Sequence, residues 1–146
     1  MKIKIPLTVL SHKDDGGYHL LIKGYINDKK VNLILDTGAS STVFDKSRLT
    51  GTLKNIELKS GKHQASGLGT NKMEAHTAVL KKFRVGKLEI KNCVVGILDL
   101  SHVNIAFEQL NITPIDGILG GNFLMRYKAV IDYHSKKLTL KTKKKK

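Results

Sequence analysis

Apolar side chains recur at every second position along this chain, in short runs cut by turn residues, and a chain patterned this way has to bury one face of a sheet. Ile3, Ile5, Leu7 and Val9 alternate with polar or small residues, so Lys2 to Leu10 reads as a first strand. Asp14-Asp15-Gly16-Gly17 turns the chain, because Asp bonds its own backbone and Gly accepts positive φ. Tyr18 to Ile26 is a second strand, Asn27 to Lys30 a turn, and Val31 to Leu35 a mostly apolar run that ends at Asp36; the two arms form a hairpin. Lys54 to Lys59 is another short strand, and residues 61–72 are rich in glycine and polar side chains. Met73 to Val85 is an extended arm, and Gly86-Lys87 turns it into the strand material of Leu88 to Ile97. Residues 101–115 read as irregular, anchored by Phe107 and Leu110. Ile118-Leu119 is a short apolar strand. Gly121 to Tyr127 is the best helix candidate, with Phe123, Leu124 and Tyr127 on one face. Ala129 to Tyr133 and Lys137 to Leu140 close the chain as a hairpin around His134-Ser135-Lys136. Many short strands, frequent turns and one short helix near the C-terminal end predict an all-β, closed or partly closed barrel.

Size and composition agree. The 146 residues fit a single domain over residues 1–140, followed by a frayed Lys-rich tail, Lys141 to Lys146. With 40% apolar and 26% charged residues, the composition is that of a globular chain. The lone cysteine, Cys93, excludes an intrachain disulfide and a zinc site built from several cysteines, and its Val94-Val95 neighbours make it a small buried hydrophobe. Lys and Arg number 26 against 12 Asp and Glu, for a net charge of +14, and five of those lysines crowd the last six residues. The others are scattered, Arg48, Arg84 and Arg126 are the only arginines, and no basic stretch is interleaved with aromatics. The basicity therefore reads as solvated surface rather than a nucleic-acid face. No segment reaches the roughly 18 apolar residues of a membrane span, and the first ten residues are patterned as a strand rather than a signal-peptide core. With one thiol and no export signal, a reducing cytoplasm is the expected setting. The six histidines show no mutual ligand spacing, so no metal site is expected. Neither a Gly-x-Ser-x-Gly elbow nor a phosphate-binding glycine loop is present.

The chemically informative stretch is Leu33-Ile34-Leu35-Asp36-Thr37-Gly38-Ala39-Ser40. A carboxylate stands directly after an apolar strand and directly before a glycine, whose backbone can come close enough to aim its N–H at that carboxylate. Taken alone, the tripeptide is equally an Asp that opens a turn. About 80 residues later comes Asp116-Gly117-Ile118-Leu119-Gly120-Gly121-Asn122-Phe123-Leu124, and between the two lies the glycine-tipped Gly67-Leu68-Gly69 with extended arms. Ala129-Val130-Ile131-Asp132-Tyr133 follows. In this order and at these spacings, from about residue 3 to residue 140, the sequence resembles the retropepsin-like aspartic proteases, on the side of their cellular and bacterial branch.

The resemblance implies a single-lobe acid-protease barrel with a flap hairpin and one short C-terminal helix. It implies that Asp36 is catalytic and that Thr37, Gly38 and Ala39 support it: Thr37 braces the active loops across a dimer axis, and Gly38 offers its N–H to the carboxylate and its carbonyl to the substrate. Gly67, Leu68 and Gly69 fall at the flap tip, with Gly117 and Ile118 on the cleft wall and Asp116 at its edge. The reaction needs two facing carboxylates that share a proton. One Asp-Thr-Gly in a chain of this length is half a site, so a two-fold homodimer, joined by the active-site loops and the terminal strands, is expected to complete it. The activity implied is endopeptidic hydrolysis of a polypeptide with no cofactor. A catalytically silent peptide- or protein-binding module on the same fold is the alternative. Ala39 has no hydroxyl to bond the carboxylate, which implies activity at mildly acidic to neutral pH. The sequence departs from the retroviral pattern at Ser40 and Ser41, where those enzymes carry two acidic residues, and at Gly121, where they carry the Arg that pairs with the first.

Overall fold

A computed structural model of the chain describes residues 1–11, 17–60, 65–67, 70–73 and 75–143. The elements run β1 (Lys2–Pro6), β2 (Thr8–Ser11), β3 (Tyr18–Ile26), β4 (Lys29–Leu35), β5 (Val43–Asp45), α1 (Lys46–Thr52), β6 (Lys59–Ser60), β7 (Ala65–Gly67), β8 (Thr70–Met73), β9 (His76–Val85), β10 (Leu88–Leu98), α2 (Ser101–Gln109), β11 (Gly117–Leu119), α3 (Gly121–Arg126), β12 (Val130–Asp132) and β13 (Lys137–Lys141). The order β3-β4-β11-β5-β10-β9, closed by pairing of β9 back onto β3, makes a six-stranded barrel; β2 extends it beside β3, and β6 beside β9. A second sheet, β1-β13-β12, lays Ile3, Ile5, Leu138 and Leu140 on the barrel core, and β7 pairs with β8 separately. The fold is the expected all-β closed barrel, and α3 is the expected helix.

Local chemistry explains most of these elements. Asn27 and Asp28 both take positive φ (48° and 67°), the two-residue turn that lets β3 and β4 pair without splaying. Most apolar side chains of the strands meet in one cluster, in which Phe83 sits between Phe44 and Phe123 with ring centroids 5.8 and 6.3 Å apart. Cys93 packs against this cluster, and burial pushes its thiol above the ordinary range despite the nearby Arg126.

Four departures from the sequence reading have physical causes. The expected strand from Lys2 to Leu10 breaks at Leu7: Pro6 has no N–H to donate, and β1 and β2 enter different sheets. The expected strand from Lys54 to Lys59 pairs only at Lys59 and Ser60, because the preceding residues loop out and lay Leu53, Ile56 and Leu58 on the core. Lys46–Thr52, unassigned from sequence, is a helix capped by the Asp45 side chain, which accepts from the Arg48 N–H at 3.1 Å. Residues 101–109, read as irregular, form α2. Val103, Phe107 and Leu110 stand at helical spacing and pack in a second cluster with Ile34, Ile112 and Ile115. At the C-terminal end β13 takes in Lys141, expected in the tail, while 144–146 lie outside the described residues, as do Asp14, Asp15 and Gly16 of the first expected turn.

Candidate active site

The strand order creates the site. β4 and β5 are consecutive in the chain, yet β11 lies between them, parallel to β4 and antiparallel to β5. The loop 36–42 must therefore cross the end of β11, and it is pinned there. Asp36 N–H donates to the Leu119 carbonyl at 3.1 Å, Gly121 N–H to the Ala39 carbonyl at 2.7 Å, and Asn122 N–H to the Ser40 carbonyl at 3.0 Å. Beneath the loop, the buried Thr42 hydroxyl donates to Asn122 Oδ1 at 2.9 Å and accepts from Gly120 N–H at 3.1 Å. The crossing is close: a Cβ on Gly120 would stand 2.3 Å from the Ser41 carbonyl oxygen, and one on Gly117 would stand 2.7 Å from the Val43 carbonyl oxygen. Both positions need glycine because backbone passes over backbone.

At the head of this loop, Gly38 N–H donates to Asp36 Oδ1 at 2.8 Å, the bond expected from the glycine two residues on. No partner for the second oxygen is found among the described residues. Asp36 is half-buried, whereas Thr37 and Gly38 are exposed. A cleft of about 390 Å³ opens beside Asp36 and Thr37, walled by Leu20 and Ile118 and, from α2, by Val103 and Phe107. Tyr18 and Tyr133, both more than 60% exposed, stand at its mouth. The cleft thus joins one carboxylate with a free acceptor to an apolar wall, an arrangement able to bind and polarise a hydrogen-bonding group beside apolar side chains.

The other residues singled out from sequence divide. Ile118 is half-buried and lines the cleft with Asp36. Gly117 is buried where β11 passes β5. Asp116 is also buried, and both its oxygens serve the fold: Oδ2 accepts from Asn32 N–H at 2.7 Å, and Oδ1 from Arg48 Nε at 2.8 Å. Ala39 is half-buried within the pinned loop. Gly67 ends β7 and pairs with Thr70 of β8, while Leu68 and Gly69 between them lie outside the described residues. Where the retroviral acidic–arginine pair would sit, backbone bonds from Gly121 and Asn122 and the Thr42–Asn122 bond fasten the loop instead.

Sequence reasoning passed over Thr42, the clamping role of Asn122, and the wall built by α2. The Val103–Phe107 spacing was the available signal for the last. Among the described residues, no three His, Cys, Asp or Glu side chains gather as metal ligands, and no helix is long and apolar enough to cross a membrane.

A family model described as Aspartyl protease matches residues 22–123, more than two thirds of the chain. No curated protein matches the sequence significantly. Among solved structures, a retropepsin-like aspartic protease from Rickettsia conorii is similar at 24% identity and TM-score 0.56, over 96% of this chain and 89% of that one. The retroviral protease-like domain of Ddi1 from Leishmania major is similar at 17% identity and TM-score 0.56, over 84% and 87%. The EIAV protease complexed with the inhibitor HBY-793 is similar at 21% identity and TM-score 0.57, over 84% and 99%.

Proposed function

The chain belongs to the aspartyl protease family, and on that footing we propose that it is a homodimeric endopeptidase in which two Asp36 carboxylates, one from each copy, activate a water between them. The observation that carries the reading is the Asp36 carboxylate itself: one oxygen is held by Gly38 N–H, the other has no partner among the described residues, and the cleft opens beside it. The exposure of Thr37, Gly38, Ser40 and Ser41 supports a partner loop meeting this one. Two carboxylates brought together do not both ionise readily, so the pair holds one proton. The ionised Asp36 takes a proton from the water, whose oxygen attacks the scissile carbonyl. The protonated Asp36 hydrogen-bonds the carbonyl oxygen, and a proton then passes to the leaving nitrogen as the peptide bond breaks. Thr37 bonds across the two-fold axis, and the Gly38 carbonyl holds the substrate backbone. Gly67, Leu68 and Gly69 close over an extended polypeptide, Ile118 contacts its apolar side chains, and Gly117 and Asp116 hold that wall. The lone Cys93 supports work in a reducing compartment such as the cytoplasm.

The non-catalytic peptide-binding module is the second reading, favoured by Ser40, Ser41 and Gly121, which supply no ion pair beneath the loop. Incubation of a peptide library over a series of protein concentrations separates the two. The protease reading expects cleavage whose rate per chain rises with concentration until the dimer saturates, and no cleavage by Asp36→Asn. Absence of turnover at every concentration and pH, with unchanged peptide binding by Asp36→Asn, supports the module. Because Ala39 brings no hydroxyl to the carboxylate, the rate maximum is expected at mildly acidic to neutral pH, and a maximum at about pH 2 overturns that expectation.

A further inference from the structure

Lysines that lie scattered along the sequence are gathered by the fold. β1 and β13 come from opposite ends of the chain and pair side by side, Lys2 opposite Lys141 and Lys4 opposite Thr139. Ile3, Ile5, Leu138 and Leu140 take the core side, each at most 4% exposed, so the alternate positions of both strands turn outward. Lys2, Lys4, Lys137 and Lys141 therefore share one exposed face, on which Asp132 of β12, opposite Lys137, is the one acidic side chain. Like charges about 5 Å apart, as at Lys2 and Lys141, oppose the pairing that holds them together. A sheet edge in need of guarding accounts for lysines on β1, but not for those on β13, which is the central strand.

The positive charge continues past the end of the sheet. A groove of about 770 Å³ beside Lys2 and Lys141 is lined also by Arg126, Lys128 and Lys143, with no Asp or Glu among its lining residues. None of these cations belongs to an ion pair among the described residues. Apolar side chains stand exposed among them: Val130, on the outward side of β12 opposite Thr139, is 57% exposed, and Met1, in the groove, is 55% exposed. A second copy of the chain does not fit this face, since a two-fold axis sets the same lysines against each other. A nucleic-acid strand needs free rings on which to stack its bases, and the groove's one ring, Tyr127, packs against Phe123 and the core. We propose that this face is a docking surface for an anionic lipid bilayer: the lysines meet the headgroups, their stems lying along the sheet, while Val130 and Met1 enter the boundary between headgroups and acyl chains. The surface is independent of the chemistry proposed for Asp36.

The test uses the full chain with vesicles of phosphatidylcholine containing phosphatidylserine, and with vesicles of phosphatidylcholine alone. Cosedimentation is expected with the first only, and it weakens as salt rises. The exposed pair Lys4→Glu and Lys141→Glu is expected to weaken binding at least about tenfold. Lys81→Glu and Lys91→Glu, exposed positions on β9 and β10, change the net charge equally and are expected to weaken it less than about threefold. The chain has no tryptophan, so Val130→Trp reports its own surroundings, and its emission is expected to shift to the blue on the anionic vesicles. Equal loss from the two lysine pairs assigns binding to overall charge and overturns the proposal, as does equal binding to both kinds of vesicle or an unmoved emission in Val130→Trp. So does a single-stranded oligonucleotide that displaces the chain from the anionic vesicles at equal phosphate concentration, which makes nucleic acid the partner of this face.

Discussion

Asp36 and Asp45 bracket the same crossing, one at its entry and the other at the close of β5, and the fold treats them oppositely. Asp45 is 3% exposed and fully occupied: Oδ1 accepts from Leu100 N–H at 2.7 Å, and Oδ2 accepts from Arg48 N–H at 3.1 Å. It caps α1 and ties β5 to the start of α2. Asp36 is half-buried, takes one hydrogen bond from Gly38, and faces a cleft. Asp116 belongs with Asp45, since Asn32 and Arg48 use up its oxygens. Sequence neighbourhood does not distinguish a structural carboxylate from a reactive one; the number of donors already spent on it does.

Substitutions at the two ends of the crossing break the symmetry most sharply. Asp36→Asn is expected to lower peptide hydrolysis by at least about 10²-fold, the smallest usual contribution of a general acid–base group, while the urea unfolding midpoint stays within experimental scatter. Loss of stability along with activity would place Asp36 beside Asp45 as a structural group. Gly120→Ala attacks the crossing that serves both carboxylates. With its new Cβ 2.3 Å from the Ser41 carbonyl oxygen, it is expected to cost about 3 kcal/mol by chemical denaturation and to weaken hydrolysis as the loop lifts. A variant as stable as the parent would mean that the loop is not pinned to β11. Asp45→Ala strands the buried Leu100 N–H and the part-buried Arg48 N–H and removes a helix cap, for an expected loss of about 2 kcal/mol with an unchanged denaturant slope. An effect no larger than that of Asp36→Asn would erase the distinction.

The mildest perturbation is acid. Backbone N–H donation from Ser101 to Asp99, and from Ser135 and His134 to Asp132, holds both carboxyls below the ordinary aspartate range. A carboxyl whose folded-state pKa is depressed stabilises the protein above its unfolded-state value, and that contribution is lost as pH falls through the folded value. Both groups are solvent-exposed, so only a shallow decline in melting temperature is expected below about pH 4, and Asp132→Asn should flatten part of it. An unchanged slope in that variant would assign the decline to other groups.

The strands around the site were legible in sequence because each carries its own signal: alternating side chains through Tyr18–Ile26, turn residues at Asn27-Asp28, and an apolar run that stops at Asp36. α2 was passed over because Asn104, Asn111 and Thr113 dilute its helical pattern, which becomes decisive only when Phe107 finds Ile34 and Ile115 across the cluster. The Thr42–Asn122 clamp lay beyond reach, since it joins side chains 80 positions apart through a strand inserted between two consecutive ones.

Read by itself, the sequence determined that this chain closes a β-barrel and puts an aspartate, with a glycine to hold it, at the end of an apolar strand. Period and turn chemistry are local properties, written in neighbouring residues. Only the tertiary structure decided which carboxylates are spent on the fold and which is left to a cleft. Those outcomes depend on where donors from distant parts of the chain end up, and a hydrogen bond exists only once its two groups stand within about 3 Å of each other.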